Sequence, residues 1–325
     1  MKNVFVITDP GLDPDDIVNA WLLATAHKRG EINLLGTIAN YSPSVMRARL
    51  LKGVFNSLGV DVPVRAGTNC NSEHTPRGYE FDFPLAEETD VKGLSGIFLK
   101  NVLIDSEDES ITLLLISGLT DIAEAIHDYP ELLKQKLKEV YVMGGANWEN
   151  GKLIADPTAS NNKFDKTLDS QVVYDFFVNN GIPLKVLTRF AAYAASVTPD
   201  FYENLNSINK VGNYLYKIQR KSIEGLWHTV NSNPPEHRLN REWFCKTFCK
   251  VDSLPIGSDE SPWEYVKSLS LYDPLTSVFM LMPHLFHPSS QSINGVEHQI
   301  VGHSANLHGV VDKVLILEEL KSYLV

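Results

Sequence analysis

At 325 residues, with 43% apolar and 21% charged residues, the chain can bury a sizeable core, which excludes intrinsic disorder. Twenty-nine basic residues against 40 acidic ones give a net charge of −11, which excludes gripping DNA or an anionic membrane by bulk electrostatics. Three cysteines are too few for a disulfide framework and fit a reducing, intracellular setting.

The start, MKNVFVITDPG, has too short an apolar run for a secretory signal, and no run approaches the roughly 20 apolar residues that span a bilayer. A soluble, cytoplasmic protein is expected. Val4 to Thr8 reads as a buried strand, followed by a turn and a helix from about Asp16 to Arg29. Ile32 to Ala39 reads as a second strand, and Ser42-Pro43 as the N-cap and first turn of a helix ending near Leu58-Gly59. Val62 to Ala66, Ile111 to Ser117, Val140 to Met143 and Leu184 to Leu187 are further strands separated by helical material. The alternation predicts an α/β fold with a mostly parallel sheet flanked by helices. Nothing divides the chain, so residues 1–325 are expected to form one domain. The polar stretch 67–92 and the helix-rich stretch 206–270 read as insertions or a cap.

Ligands of an open parallel sheet bind beyond the carboxyl ends of its strands. The segment after the first strand carries Asp9, Asp13, Asp15 and Asp16, four carboxylates within eight residues. Such crowding raises pKa values unless a cation neutralises it, and an all-oxygen cluster suits calcium or magnesium. Helix capping accounts for one or two of these acids, but not for Asp9 at the end of a buried strand. The spacing is not that of an EF-hand, because Pro14 and Ala20 stand where glycine and glutamate are needed. A magnesium phosphatase of the haloacid-dehalogenase type needs a second aspartate where Gly11 stands. Cys245 and Cys249 read as core residues rather than zinc ligands, and His298, His303 and His308 as surface or strand residues. Tyr41, Trp148, Phe190 and Trp227 are candidates to stack on a planar ligand, each more commonly a packing residue.

In chain order, VFVITDPGLDPDD, GTIANY, ISGLTDIAEAI, VYVMGGA, ASNNKFD and LYDPLTSVF resemble the motifs of the inosine–uridine-type nucleoside hydrolase family. The resemblance runs from the first strand to about Val278, and the segment 179–262 is similar to a nucleoside-hydrolase-like branch that includes plant-pathogen effectors. It implies calcium-dependent hydrolysis of the N-glycosidic bond of ribonucleosides or related ribosides. By that resemblance Asp9 touches calcium and takes the proton of the attacking water, Asp16 and Asp273 are further ligands, and Thr120 offers its main-chain carbonyl. Asp15, Asn40 and one of Asn161 or Asn162 would hold ribose, and Met143 would line the sugar pocket. The partner implied is a small nucleoside-like ligand, with neither nucleic acid nor membrane; relatives of this fold commonly form homo-oligomers. The effector branch adds delivery into a host cell as a second expected location.

Three positions depart from the family pattern. Ile7 replaces an acid, and the extra Pro14 leaves either Asp13 or Asp15 to face ribose, with Asp15 favoured by helix register. Ser160 stands where many members have glutamate. Tyr272 stands where the best-known branch has the histidine that protonates the leaving base; tyrosine is a weaker acid at neutral pH but can stack on a base. The alternative expectation is a weakened relative that binds a nucleotide metabolite or a partner protein.

Overall fold

A computed structural model describes residues 1–11, 13–70, 74–159 and 167–325. Eight strands form one sheet: β1 (Lys2–Thr8), β2 (Ile32–Ala39), β3 (Val64–Ala66), β4 (Ile111–Leu115), β5 (Leu137–Met143), β8 (Leu184–Leu187), β9 (Ser289–Ile293) and β10 (Val296–Val301). Their spatial order is β3-β2-β1-β4-β5-β8-β10-β9, and every neighbouring pair is parallel except β9 with β10. A separate hairpin joins β6 (Ala146–Glu149) to β7 (Lys152–Ala155).

Alternation along β1 explains the layering. Val4 and Val6 pack into one core with Trp21, Leu50 and Phe55, while Phe5 and Ile7 pack into another with Leu113, Ile122 and Phe177. Helices therefore cover both faces of the sheet, as its near-continuous apolar strands require. Helix α1 (Asp15–Lys28) is buried along most of its length, and α2 (Ser44–Ser57) lies beside it.

Some boundaries differ from expectation for identifiable reasons. β3 starts at Val64 because Pro63 has no N–H to give the ladder, although its carbonyl accepts from Thr37 at 2.9 Å. Ser42 does not cap α2; the Ser44 N–H donates instead to Asn69 Oδ1 at 3.2 Å. The β9–β10 hairpin was hidden by its serines, and turns through Asn294-Gly295 with φ of 53° and 82°. His298 is on β10 and fully buried, its Nδ1 accepting the Leu184 N–H at 3.2 Å. Between residues 206 and 270 the main element is the helix Lys210–Ser232, which packs on the helix Pro199–Asn206. Cys245 and Cys249 are free and buried in a π-helical turn.

Candidate active site

The carboxyl end of β1 and the start of the helix Tyr272–Leu281 converge on one point. Asp15, Asp16 and Asp273 are buried there, with one oxygen from each lying within 4.8 Å of the other two. Asp16 Oδ1 accepts the Asp9 N–H at 3.0 Å and a short hydrogen bond from the Thr8 hydroxyl. Asp15 Oδ2 accepts the N–H groups of Tyr272 (3.1 Å) and Asp273 (3.3 Å), tying the start of α1 to that late helix.

Half-buried Asp9 completes a carboxylate cup. Burial pushes the carboxyls of Asp9, Asp15 and Asp273 well above the ordinary carboxylate range, and the negative charge of their neighbours pushes further; Asp16 is raised less. The Asp273 and Asp16 carboxyls also hydrogen-bond to each other. A chain folds its acids this close at a cost that a cation removes, and the all-oxygen donor set fits a hard one such as calcium or magnesium.

Arg47 is the residue that sequence reasoning missed. It is buried on α2 and donates through Nη1 to the main-chain carbonyls of Asp9 and Pro10, the latter at 3.0 Å. Its charge opposes the rise in the Asp9, Asp13 and Asp16 pKa values. Gly11 turns beneath it at φ +152°, and a Cβ there would stand 2.8 Å from Arg47 Nη1. No spacing rule marks Arg47, because an arginine on a helix reads as solvated until its burial is seen.

The other expected residues lie on the turns and helices that follow the parallel strands. Thr120 begins the helix Thr120–Asp128 after β4, and Met143 ends β5. Asn40 is fully buried; its amide donates to Gly118 O (2.8 Å) and Asp121 Oδ2 (3.0 Å), and its Oδ1 accepts from Ser117 (2.7 Å). Its side chain thus holds the turn leading to Thr120. Asp121 accepts in addition from Thr68 and Ser95. Tyr272 meets Tyr193 edge-to-face at 6.2 Å, and burial pushes its phenol well above its ordinary value. Asn161, Asn162 and Ser160 lie outside the described residues.

Asp13 is solvent-accessible, unlike its neighbours, and feels Arg47, Glu80, Arg77 and His74. These last three belong to the 67–92 excursion, whose Phe81 ring lies 3.6 Å from where a Gly11 Cβ would be. Of the suggested stacking residues, Trp227 is buried under Phe244 and Arg241 and serves packing. Tyr41 is buried, and Trp148 and Phe190 are half-buried. A cavity of about 470 Å³ lined by Thr68, Ser95, Lys100 and Tyr129 includes none of the cup's carboxylates.

Comparison with known proteins gives the same direction. The family model described as inosine-uridine preferring nucleoside hydrolase matches residues 4–313. An uncharacterized Schizosaccharomyces pombe protein is 31% identical over 305 residues, covering 90% of this chain and 83% of that protein. The non-specific ribonucleoside hydrolase RihC of Escherichia coli is 26% identical over 225 residues, 66% of this chain and 70% of RihC. The crystal structure of the type III effector XopQ, solved with adenosine diphosphate ribose, is 28% identical with a TM-score of 0.79, covering 100% of this chain and 93% of that one.

Proposed function

Because the chain belongs to the inosine-uridine preferring nucleoside hydrolase family, we propose that it is a calcium-dependent hydrolase of the N-glycosidic bond of ribonucleosides or related ribosides. The observation that carries this reading is the buried trio Asp15, Asp16 and Asp273, with Asp9 beside it, at the carboxyl end of a parallel strand. Asp9, Asp16, Asp273 and the main-chain carbonyl of Thr120 would hold calcium, and Asp15 would hold ribose with Asn161 or Asn162. Asn40 would buttress the ribose side, Met143 would line it, and Tyr272 would contact the base. When bound, the ion supplies a more acidic water and a grip on the ribose hydroxyls.

Asp9 accepts the proton of the attacking water. Burial and the neighbouring acids raise its pKa, and the Arg47 charge opposes that rise in favour of the carboxylate form that this role needs. The carboxylates then face the positive charge that develops on the sugar as the base departs. The chain acts as one domain of residues 1–325 with 206–270 as a cap, on a small nucleoside-like ligand, in the cytoplasm of its own cell or of one into which it is delivered.

The test is chromatographic detection of free base from nucleosides, nucleotides and ADP-ribose, with calcium and with chelator. Chelator-sensitive release is expected, and Asp9→Asn abolishes it while the circular-dichroism spectrum stays that of the folded wild type. Release that chelator leaves untouched would sink the metal role. A second reading, a catalytically weakened binder of a nucleotide metabolite, draws on the Tyr272 phenol, a poor acid, and on the likeness to XopQ. It requires ligand protection in a melt with no base released.

A further inference from the structure

The 67–92 excursion carries a second polar assembly that the reaction does not use. Glu80 is fully buried and acts as its hub. Its Oε2 bonds His74 Nε2 at 2.8 Å, its Oε1 accepts the Arg77 N–H at 2.9 Å, and its carbonyl accepts a short hydrogen bond from the Tyr214 hydroxyl. The segment is thereby fixed against the helix Lys210–Ser232.

Arg77 is the product of this arrangement. Its Nη1 donates to the Tyr79 hydroxyl at 2.9 Å, whereas among the described residues Nε and Nη2 have no partner and no carboxylate forms an ion pair with it. The guanidinium lies against Gly225, in the middle of that helix; a Cβ there would stand 2.8 Å from Arg77 Nη1. Mid-helix glycine is unfavourable, so the helix gives up stability at the point where Arg77 needs room. Lys221, one turn earlier, lies over the Tyr79 ring at 5.8 Å. The charges of Arg77 and His74 reach Asp13 and oppose the rise in its pKa. A chain of net charge −11 thus holds a half-buried guanidinium with no ion-pair partner among the described residues, on the segment whose Phe81 reaches Gly11 and whose charges act on Asp13.

We propose that Arg77, with His74 beside it, is an anion-binding rim that takes a phosphate, so that the ligand is a phosphorylated nucleoside rather than a bare one. This rests on the reading that ribose sits in the cup. Carboxylates repel phosphate, so a ligand presenting hydroxyls to the cup must carry its anion away from it, toward the rim. Free Nε and Nη2 donors form the fork that grips a phosphate through two oxygens.

The test uses calcium-loaded protein and two sugars without a glycosidic base, D-ribose and D-ribose 5-phosphate, so that binding is read independently of turnover. Titration calorimetry is expected to show about tenfold tighter binding of the phosphate ester. Arg77→Ala removes that preference and changes ribose binding less than about threefold. Gly225→Ala, which displaces Arg77, lowers affinity for the ester while raising the melting temperature, a pairing that a purely structural arginine does not give. Base release is followed in parallel. Equal affinity for the two sugars, or an equal loss of both in Arg77→Ala, overturns the proposal. Failure of base release with the phosphate preference intact sinks the hydrolase reading alone.

Discussion

Each acid of the cup is held by a different hand. Asp16 is gripped by the Thr8 hydroxyl and the Asp9 N–H, and Asp15 by two amides of the late helix. Replacing Thr8 with valine leaves a buried carboxylate short of a donor, and a loss of about 1–3 kcal/mol is expected in urea unfolding. Asp16→Ala should abolish the rise in melting temperature that calcium gives the wild type; an undiminished rise would show that the ion binds elsewhere. Gly11→Ala meets both its +152° φ and Arg47 Nη1 at 2.8 Å, so about 1–3 kcal/mol of stability should go, with base release falling alongside. The acids were legible in the sequence because crowded like charges demand an explanation. Arg47, Glu80 and Arg77 were not, since a charged residue declares nothing until its burial and its partners are seen.

At the scale of elements, the opposite end of the sheet is stapled by Glu139. This buried residue on β5 accepts from Lys2 of β1 at 2.9 Å, Lys185 of β8 at 2.6 Å and Thr112 of β4 at 3.3 Å. Burial opposes its ionisation, but Lys185 and Lys2 prevail and hold its carboxyl below the ordinary value. A depressed carboxylate contributes stability that is present above its unfolded pKa and lost as pH falls through the folded one. Lys185→Met should therefore cost about 2 kcal/mol at neutral pH, discounted for the partial exposure of both lysines, and less in acid. Denaturant melts at both pH values check this. The parallel strands up to Leu187 were readable from their apolar runs, whereas Ser289–Ile293, nearly without apolar residues, and Val296–Val301, interrupted by Glu297, His298 and Gln299, were not.

For the whole molecule the cup dominates the response to pH. Its carboxyls have folded pKa values raised above their unfolded ones. Such groups contribute stability below the unfolded value, near 4, that is lost as pH rises through the folded values. Chelated protein should therefore melt at progressively lower temperature as pH rises above the unfolded value near 4, and saturating calcium should flatten the trend. A chelated protein indifferent to pH would mean that the acids are not crowded as described. The order of synthesis adds a further constraint. The bond from Asp15 to the Tyr272 amide joins residues 257 apart, so a ribosome emits the first carboxylates long before Asp273. The nascent chain must carry its negative charges unclosed while the sheet strands and the 206–270 segment emerge. Ion capture then becomes a late event that only a nearly full-length polypeptide can complete, and a prematurely terminated product ending before residue 272 would lack the closing aspartate.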